Sequence, residues 1–353
     1  MSTTLEQVQE RLRGGEVIAE VDLSRQDLSG ADLRYGIFEQ VSFAGANLTR
    51  ASLKESIFHR CDFSGAVLAE AELTRSSHAE SRFVGARLAG ADLTATQLAS
   101  ADLTDADLSG AKLVITQMVK PNLTRAVFTG CFFDRNAILT VEGSAGIVLS
   151  NTRFYLTTMS GADLTSARLD GACFDTTVLH QASLAGRDLR GLSMERTQLM
   201  DANLEGCIFT GARISNINFK GSNLSGANLD EAVADRVLFV EATFEGGSAR
   251  GARLTQSIFN DATLEGTDFS QADMTSCILH RAKCAGARFV ATDLTYAELL
   301  NADVSRADFT GAKLFRARLH GIDDTEARFD PGRAIALGDE PELLEAQTWQ
   351  PKY

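Results

Sequence analysis

The chain has 353 residues with 47 acidic against 34 basic side chains, a formal net charge of −13. That balance argues against direct nucleic-acid binding, which needs clustered Lys and Arg to neutralise phosphates. It suits a basic partner, a surface that imitates nucleic acid, or plain solubility. No run approaches the roughly 20 apolar residues of a membrane-spanning helix, and no membrane span is expected.

Residues 1–20 are polar and charged, without the apolar segment of a secretory leader. Thr3 or Thr4 is placed to cap a short helix with Leu5, Val8 and Leu12 on one side, and Gly14-Gly15 to end it. This helix is expected to cover the open end of a repeat stack beginning near residue 21, because an uncovered end exposes unpaired edges and core.

From residue 21 a five-residue pattern takes over. It is clearest in Ala91–Leu113, where Leu93, Leu98, Leu103, Leu108 and Leu113 recur at intervals of five, each preceded two residues earlier by a small side chain. The register holds through residue 138, breaks over 139–150, and resumes over 151–330 shifted by one residue; residues 331–353 leave the pattern. About 18 of the 20 phenylalanines occupy the slot of the central leucine. A period of five fits neither a helix nor a simple strand. It fits a two-residue strand element with both the small and the large residue inward, followed by a tight polar turn. Four such corners close a square coil of about 20 residues, and successive coils hydrogen-bond at about 4.8 Å. Gly at Gly45, Gly65, Gly110, Gly211 and Gly311 falls where a corner calls for positive φ. Columns of rings are expected at Phe43, Phe63 and Phe83, at Phe219, Phe239 and Phe259, and at Phe269, Phe289, Phe309 and Phe329.

The repeated A-[DN]-L-x-x signature resembles the pentapeptide-repeat family over nearly the whole chain. The resemblance implies an all-β fold, a right-handed quadrilateral parallel β-helix; about 15 coils and short helical caps are expected. At about 4.8 Å per coil this is a rod on the order of 70 Å long. A cytoplasmic bacterial protein is expected, with export by a signal-independent route left open.

Deviations from the repeat are informative. Asp134–Ser150 contains the slip and the segment VEGSAGIVL, read as a bulge or short excursion rather than a phosphate loop, because Gly143 and Gly146 lack a following Lys-Ser/Thr. His78, Ala234, Ala249 and Asp324 replace core residues, and Arg187 replaces a small one. Ala234 and Ala249 are expected to flank a loosely packed coil, Asp324 and Arg187 a coil that opens outward. Cys61, Cys131, Cys207 and Cys277 occupy small-residue slots and Cys284 a core slot; with Cys173 they read as buried hydrophobes in a reducing compartment. At the C-terminus, Pro341 followed by Glu342–Gln347, with Leu343 and Leu344 inward, predicts a capping helix, and Trp349 and Tyr353 a docking or packing tail.

No metalloprotease helix, P-loop, nucleophile elbow or nucleophile–base pair is present, so no catalytic, cofactor or metal residues are expected and the chain reads as a non-enzyme. One face is unusual: sorted by coil it carries all five histidines and many apolar flanking residues. Ile37, Ile57, His59, Val178, His180, Met200, Leu238, Val240, Ile258, Ile278, His280, Leu300 and His320 form a candidate protein-contact stripe, extended by Val119 and Leu139. A turn type favouring β-branched residues explains the same pattern without a partner. The leading reading is a protein–protein interaction scaffold, with a homodimer through an end or the apolar face left open. The resemblance adds a DNA-mimicking inhibitor or protector of DNA gyrase, and an adaptor or effector of a type VI-like secretion system.

Overall fold

The structure, a computed structural model, describes residues 4–342. The predicted C-terminal residues Leu343, Leu344, Gln347, Trp349 and Tyr353 lie outside the described residues; Pro341 and Glu342 are helical. The chain is a parallel β-solenoid of about 16 turns with little helix, and it divides into two compact units, Met1–Ser183 and Leu184–Tyr353.

The first unit opens with α1 (Leu5–Arg13). Thr4 caps it: its side chain accepts from the Gln7 amide while the Gln7 side chain returns to the Thr4 amide, so two orphan donors are satisfied reciprocally. Val8 is fully buried where α1 packs on β1 (Ile18–Ala19). The cap is the one the sequence predicts.

Beyond it the ladder residues pair in parallel, each with the one 20 positions on except across the slip and at the last coil. β1, β2 (Ile37–Glu39) and β3 (Ile57–His59) form one sheet. A second contains β4 (Lys112–Val114), β6 (Phe132–Asp134) and β8 (Arg153–Tyr155). A third contains β5 (Gln117–Val119), β7 (Ala137–Leu139) and β9 (Thr158–Met159). Elsewhere the strands shrink to single bridges, such as Val67↔Arg87 in the first unit and Ile258↔Ile278 in the second. The second unit ends on β10 (Asp308–Phe309) paired with β11 (Arg328–Phe329), followed by a 3-10 turn, Pro331–Ile335.

Each letter of the repeat has a physical job. The Asp or Asn before the central residue accepts from the amide two residues on, as Asp102 does from Thr104 at 3.1 Å, and again from the Thr104 hydroxyl at 2.6 Å. This local turn stabilises the corner without help from a neighbour. A Ser or Thr in the small slot often donates to the carbonyl of a central residue in the preceding coil, as Thr96 does to Leu73 and Thr116 to Leu93. The last residue of the unit takes a left-handed backbone, with Gly45 at φ 66° and Arg125 at φ 54°.

The core is a set of ring columns. Phe43, Phe63 and Phe83 stack at 4.8 Å per step, nearly parallel. Phe219, Phe239 and Phe259 stack at 5.3 and 4.6 Å, and the column Phe269–Phe289–Phe309–Phe329 is equally continuous. All three match the expectation. A further column, Phe38–Phe58, continues into His78 at 4.7 Å and 4°.

The break is smaller than an excursion. Asn122 pairs with Gly143 and Phe133 with Phe154, an offset of 21, so a single extra residue is absorbed at the corner Thr140–Glu142. Ser144 fills the inward slot beside Leu123, where its hydroxyl donates to the Asp163 carbonyl and accepts from its amide. Gly143 is closely approached: a Cβ there would lie 2.5 Å from the Asn122 Oδ1 and 2.6 Å from the Thr124 hydroxyl, so one of those side chains would have to move. It is a ladder residue, not part of a phosphate loop.

Ala234 and Ala249 are both fully buried, and the Phe244 ring lies so close to Gly247 that a Cβ there would sit 2.1 Å from it. Asp324 does mark an opening coil: it is half-buried and ion-paired with Arg333.

Candidate protein-contact surface

The acidity of the surface is mostly explained by the fold. Asp22, Asp62, Asp92, Asp107 and Asp273 each accept the corner amide two residues on. The Ser24 hydroxyl holds the Asp22 carboxyl below the usual carboxylate range. Arg190 does the same to Asp188, lowering it to about 2. Many remaining carboxylates are bridged across coils by a cation 20 residues away: Arg50 to Glu70, Arg125 to Asp105, Arg281 to Asp261 and Lys313 to Asp293.

Five of the cysteines are buried as expected, whereas Cys173 is half-buried. Cys131, Cys207 and Cys277 donate to the carbonyls of Leu108, Leu184 and Leu254, doing what Ser and Thr do in that slot. Burial pushes the Cys61 and Cys131 thiols up to about 12 and Cys207 to about 11; a protonated thiol is a poor nucleophile and ligand. Among the described residues no group of three His, Cys, Asp or Glu side chains is placed to hold a metal ion, and no helix is long and apolar enough to cross a membrane.

The stripe divides by unit. In the first unit the ladder runs Ile37↔Ile57, then Ser77, Gln97, Gln117, Ala137 and Thr158 to Val178. All therefore share one face, and that face stays aligned across the slip. The apolar strip along it is interrupted: Ile37, Ile57 and His59 lie at one end, Val178 and His180 at the other. In the second unit Leu238↔Ile258↔Ile278 is continuous over three coils and stops at Glu298. Met200, Val240 and Leu300 are half-buried on the other side of the same ladder, separated by Lys220 and Asn260.

The histidines do not act as a set. His59 and His280 reach carboxylates, Glu80 at 3.6 Å and Glu298 at 2.8 Å. His320 does not belong to an exposed stripe: it is 1% exposed, because Leu337 pairs with Arg318 and the Glu340 amide donates to His320 Nδ1. His78 points into the core. The Ser76 hydroxyl gives its proton to the Leu73 carbonyl at 2.6 Å, so the 2.9 Å contact is His78 Nε2–H donating to Ser76 Oγ. Burial then lowers the imidazole to about 3.

A more concentrated surface lies in the first unit, on its two adjoining three-stranded sheets. β4-β6-β8 and β5-β7-β9 occupy adjoining faces of the same three coils, meeting at the corner Ile115/Arg135/Leu156. Six large apolar side chains stand exposed there: Ile115 (46%), Val119, Phe132 (45%), Leu139, Tyr155 (50%) and Leu156 (48%). Val119 and Leu139 were foreseen; the other four were missed. A signal existed. Phe132 and Phe315 are the two phenylalanines outside the central slot, and both are exposed. Ile115 and Leu156 stand at corners with φ 56° and 48°, where the repeat mostly places Gly or polar residues. A smaller aromatic pair, Tyr296 against Phe315 at 5.8 Å, marks one corner of the second unit.

Among solved structures, HetL resembles this chain with 21% identity, covering 90% of this chain and 96% of its own, at a TM-score of 0.19. HetL is a pentapeptide repeat protein involved in heterocyst differentiation regulation from the cyanobacterium Nostoc sp. strain PCC 7120. Full-length QnrB1, a plasmid-mediated fluoroquinolone resistance protein, is 17% identical over 89% of this chain and 100% of its own, at 0.14. A pentapeptide repeat protein of the Arabidopsis thaliana thylakoid lumen is 22% identical over 31% of this chain and 68% of its own, at 0.19. No curated protein sequence matches the chain. The model of pentapeptide repeats matches residues 26–77, 80–114 and 145–323, leaving 115–144 unmatched. With well over half of the sequence matched, the chain belongs to the pentapeptide-repeat family.

Proposed function

We propose that the protein is a non-enzymatic interaction scaffold that holds a protein partner on the flat faces of its coils. The observation that carries this reading is the exposure of six large apolar side chains on three successive coils of the first unit. Contiguous exposed apolar surface marks an interaction site, whereas single exposed residues do not. The backbone beneath is held on both sides, because β6 and β7 each pair with a strand above and one below. A partner therefore meets side chains on a preformed surface, which limits the ordering cost of association. The second-unit row Leu238–Ile258–Ile278 offers a lesser surface of the same kind.

The test is site-specific photo-crosslinking in native cells, with the crosslinker at Leu139 or Leu156 and, as control, at Arg82 on a polar face. A defined protein adduct from the first two positions and not from the control supports the scaffold. The same background at all three positions refutes it.

Imitation of duplex DNA draws less support. That role needs rows of unpaired anions, and here the carboxylates are committed to corner amides or to Arg and Lys of the next coil.

A further inference from the structure

We propose that the face formed by β4 to β9 docks a partner segment that is itself acidic and carries apolar side chains between its carboxylates. This deepens the scaffold reading and rests on it.

Local charge is the first reason. The chain is acidic at −13, yet residues 111–160 hold Lys112, Lys120, Arg125, Arg135 and Arg153 against only Asp134 and Glu142. Most of this charge is engaged, Arg125 by Asp105 at 2.6 Å, Arg135 by Asp134 at 2.9 Å and Lys112 by Asp92 at 3.2 Å. The Arg153 guanidinium instead lies 6.0 Å from the centre of the exposed Phe132 ring, and Lys120 stands exposed at a corner. Cations and apolar side chains alternate along the coils: Lys112, Phe132 and Arg153 are register partners in successive strands. An occupant must bury apolar groups and present carboxylates at matching intervals.

Strain is the second reason. A β-branched residue in the left-handed region is disfavoured, and such strain persists where something else maintains it. Ile115 is the only Ile or Val among the described residues with positive φ. The corner imposes this φ on whatever residue stands there, as on Arg125, Arg135 and Thr140, so the fold accounts for the conformation but not for an exposed apolar side chain in that slot. Residues 115–144, which hold Ile115, Phe132 and Leu139, are also the stretch that the repeat model skips.

The same features weigh against other occupants. A second copy docked face to face sets like charges against one another. A nucleic-acid strand stacks on aromatic rings, but this surface is mostly aliphatic and the net charge of the chain repels polyanions. Strand addition is closed, because the strand edges are already paired above and below.

The experiment uses the full chain and fluorescent peptides of one apolar pattern, with Glu, Gln or Lys at the intervening positions, read by anisotropy. The Glu peptide is expected to bind about tenfold tighter than the Lys peptide, a gap of about 1.4 kcal/mol, and to weaken as salt rises. Lys120→Glu with Arg153→Glu should abolish the preference, and Leu139→Glu with Leu156→Glu the binding, at unchanged melting temperature. Ile115→Gly should weaken binding while raising the melting temperature. Equal affinity for Glu and Lys peptides, no binding of any peptide, or tighter binding of an oligothymidine overturns the proposal. So does a homodimer in sedimentation that Leu139→Glu dissolves. A crosslinked partner at Leu139 without the Glu preference leaves the scaffold standing and removes only the acidic occupant.

Discussion

Ile115 shows how a single side chain separates stability from function. At φ 56° its branched Cβ crowds the backbone, a cost of about 1 kcal/mol that glycine does not bear. Ile115→Gly is therefore expected to stabilise the protein by about 1 kcal/mol in urea denaturation, contrary to the usual effect of removing an apolar side chain. His78 makes a second residue-scale prediction. Its folded pKa is lowered to about 3 by burial, against about 6.5 for an unfolded histidine. The unfolded chain takes up this proton below pH 6.5 while the folded chain does not until about 3. Stability is thus fully present above 6.5 and falls as the pH drops through that window, by about 2 kcal/mol between pH 7 and pH 5. His78→Phe, which extends the Phe38–Phe58 stack, should remove that portion of the acid sensitivity when denaturation midpoints are compared at the two pH values.

The element of this fold is the corner together with the ring column it supports. Phe63 contacts Phe43 and Phe83 above and below and Phe58 edge-on. Phe63→Ala should cost about 3–5 kcal/mol, because the coil backbone is pinned by its ladder and cannot collapse into the cavity. Asp102→Ala removes an acceptor shared by an amide and a hydroxyl, and should cost about 1 kcal/mol. At the N-terminus, Thr4→Ala should cost about 1 kcal/mol through loss of the capping box. Thermal and chemical denaturation of the purified variants checks all three. These elements were legible in advance: the alternation of small, acidic and large residues names the corner, and Thr4 and Gly14 bracket the helix. The slip was legible only as a position. That it takes one residue at Thr140–Glu142, with Ser144 in a core slot, depends on the ladder on both sides, which no local pattern contains.

For the whole molecule, charge is the property that composition sets. With a sequence pI of about 4.9, the protein should self-associate most readily near pH 5, where repulsion vanishes and exposed apolar surface is free to act. Light scattering across pH should show that maximum, and Leu139→Glu with Leu156→Glu should reduce it. The five-residue period was enough to establish the coil, because small and large inward residues with an acidic turn have one repeating solution that satisfies both burial and backbone hydrogen bonding. It was also enough to align the ring columns, since a strict period of 20 carries a phenylalanine back to the same place. What needed the three-dimensional structure was which outward residues are exposed together. His320 shares a repeat position with His280, yet it is buried by a segment the repeat does not encode. Ile115 and Leu156 share the corner slot, Phe132 and Tyr155 occupy two others, and the four become neighbours only when three coils stack and two faces share a corner. Exposure is a property of what packs above, below and around the corner, and the period is silent about that.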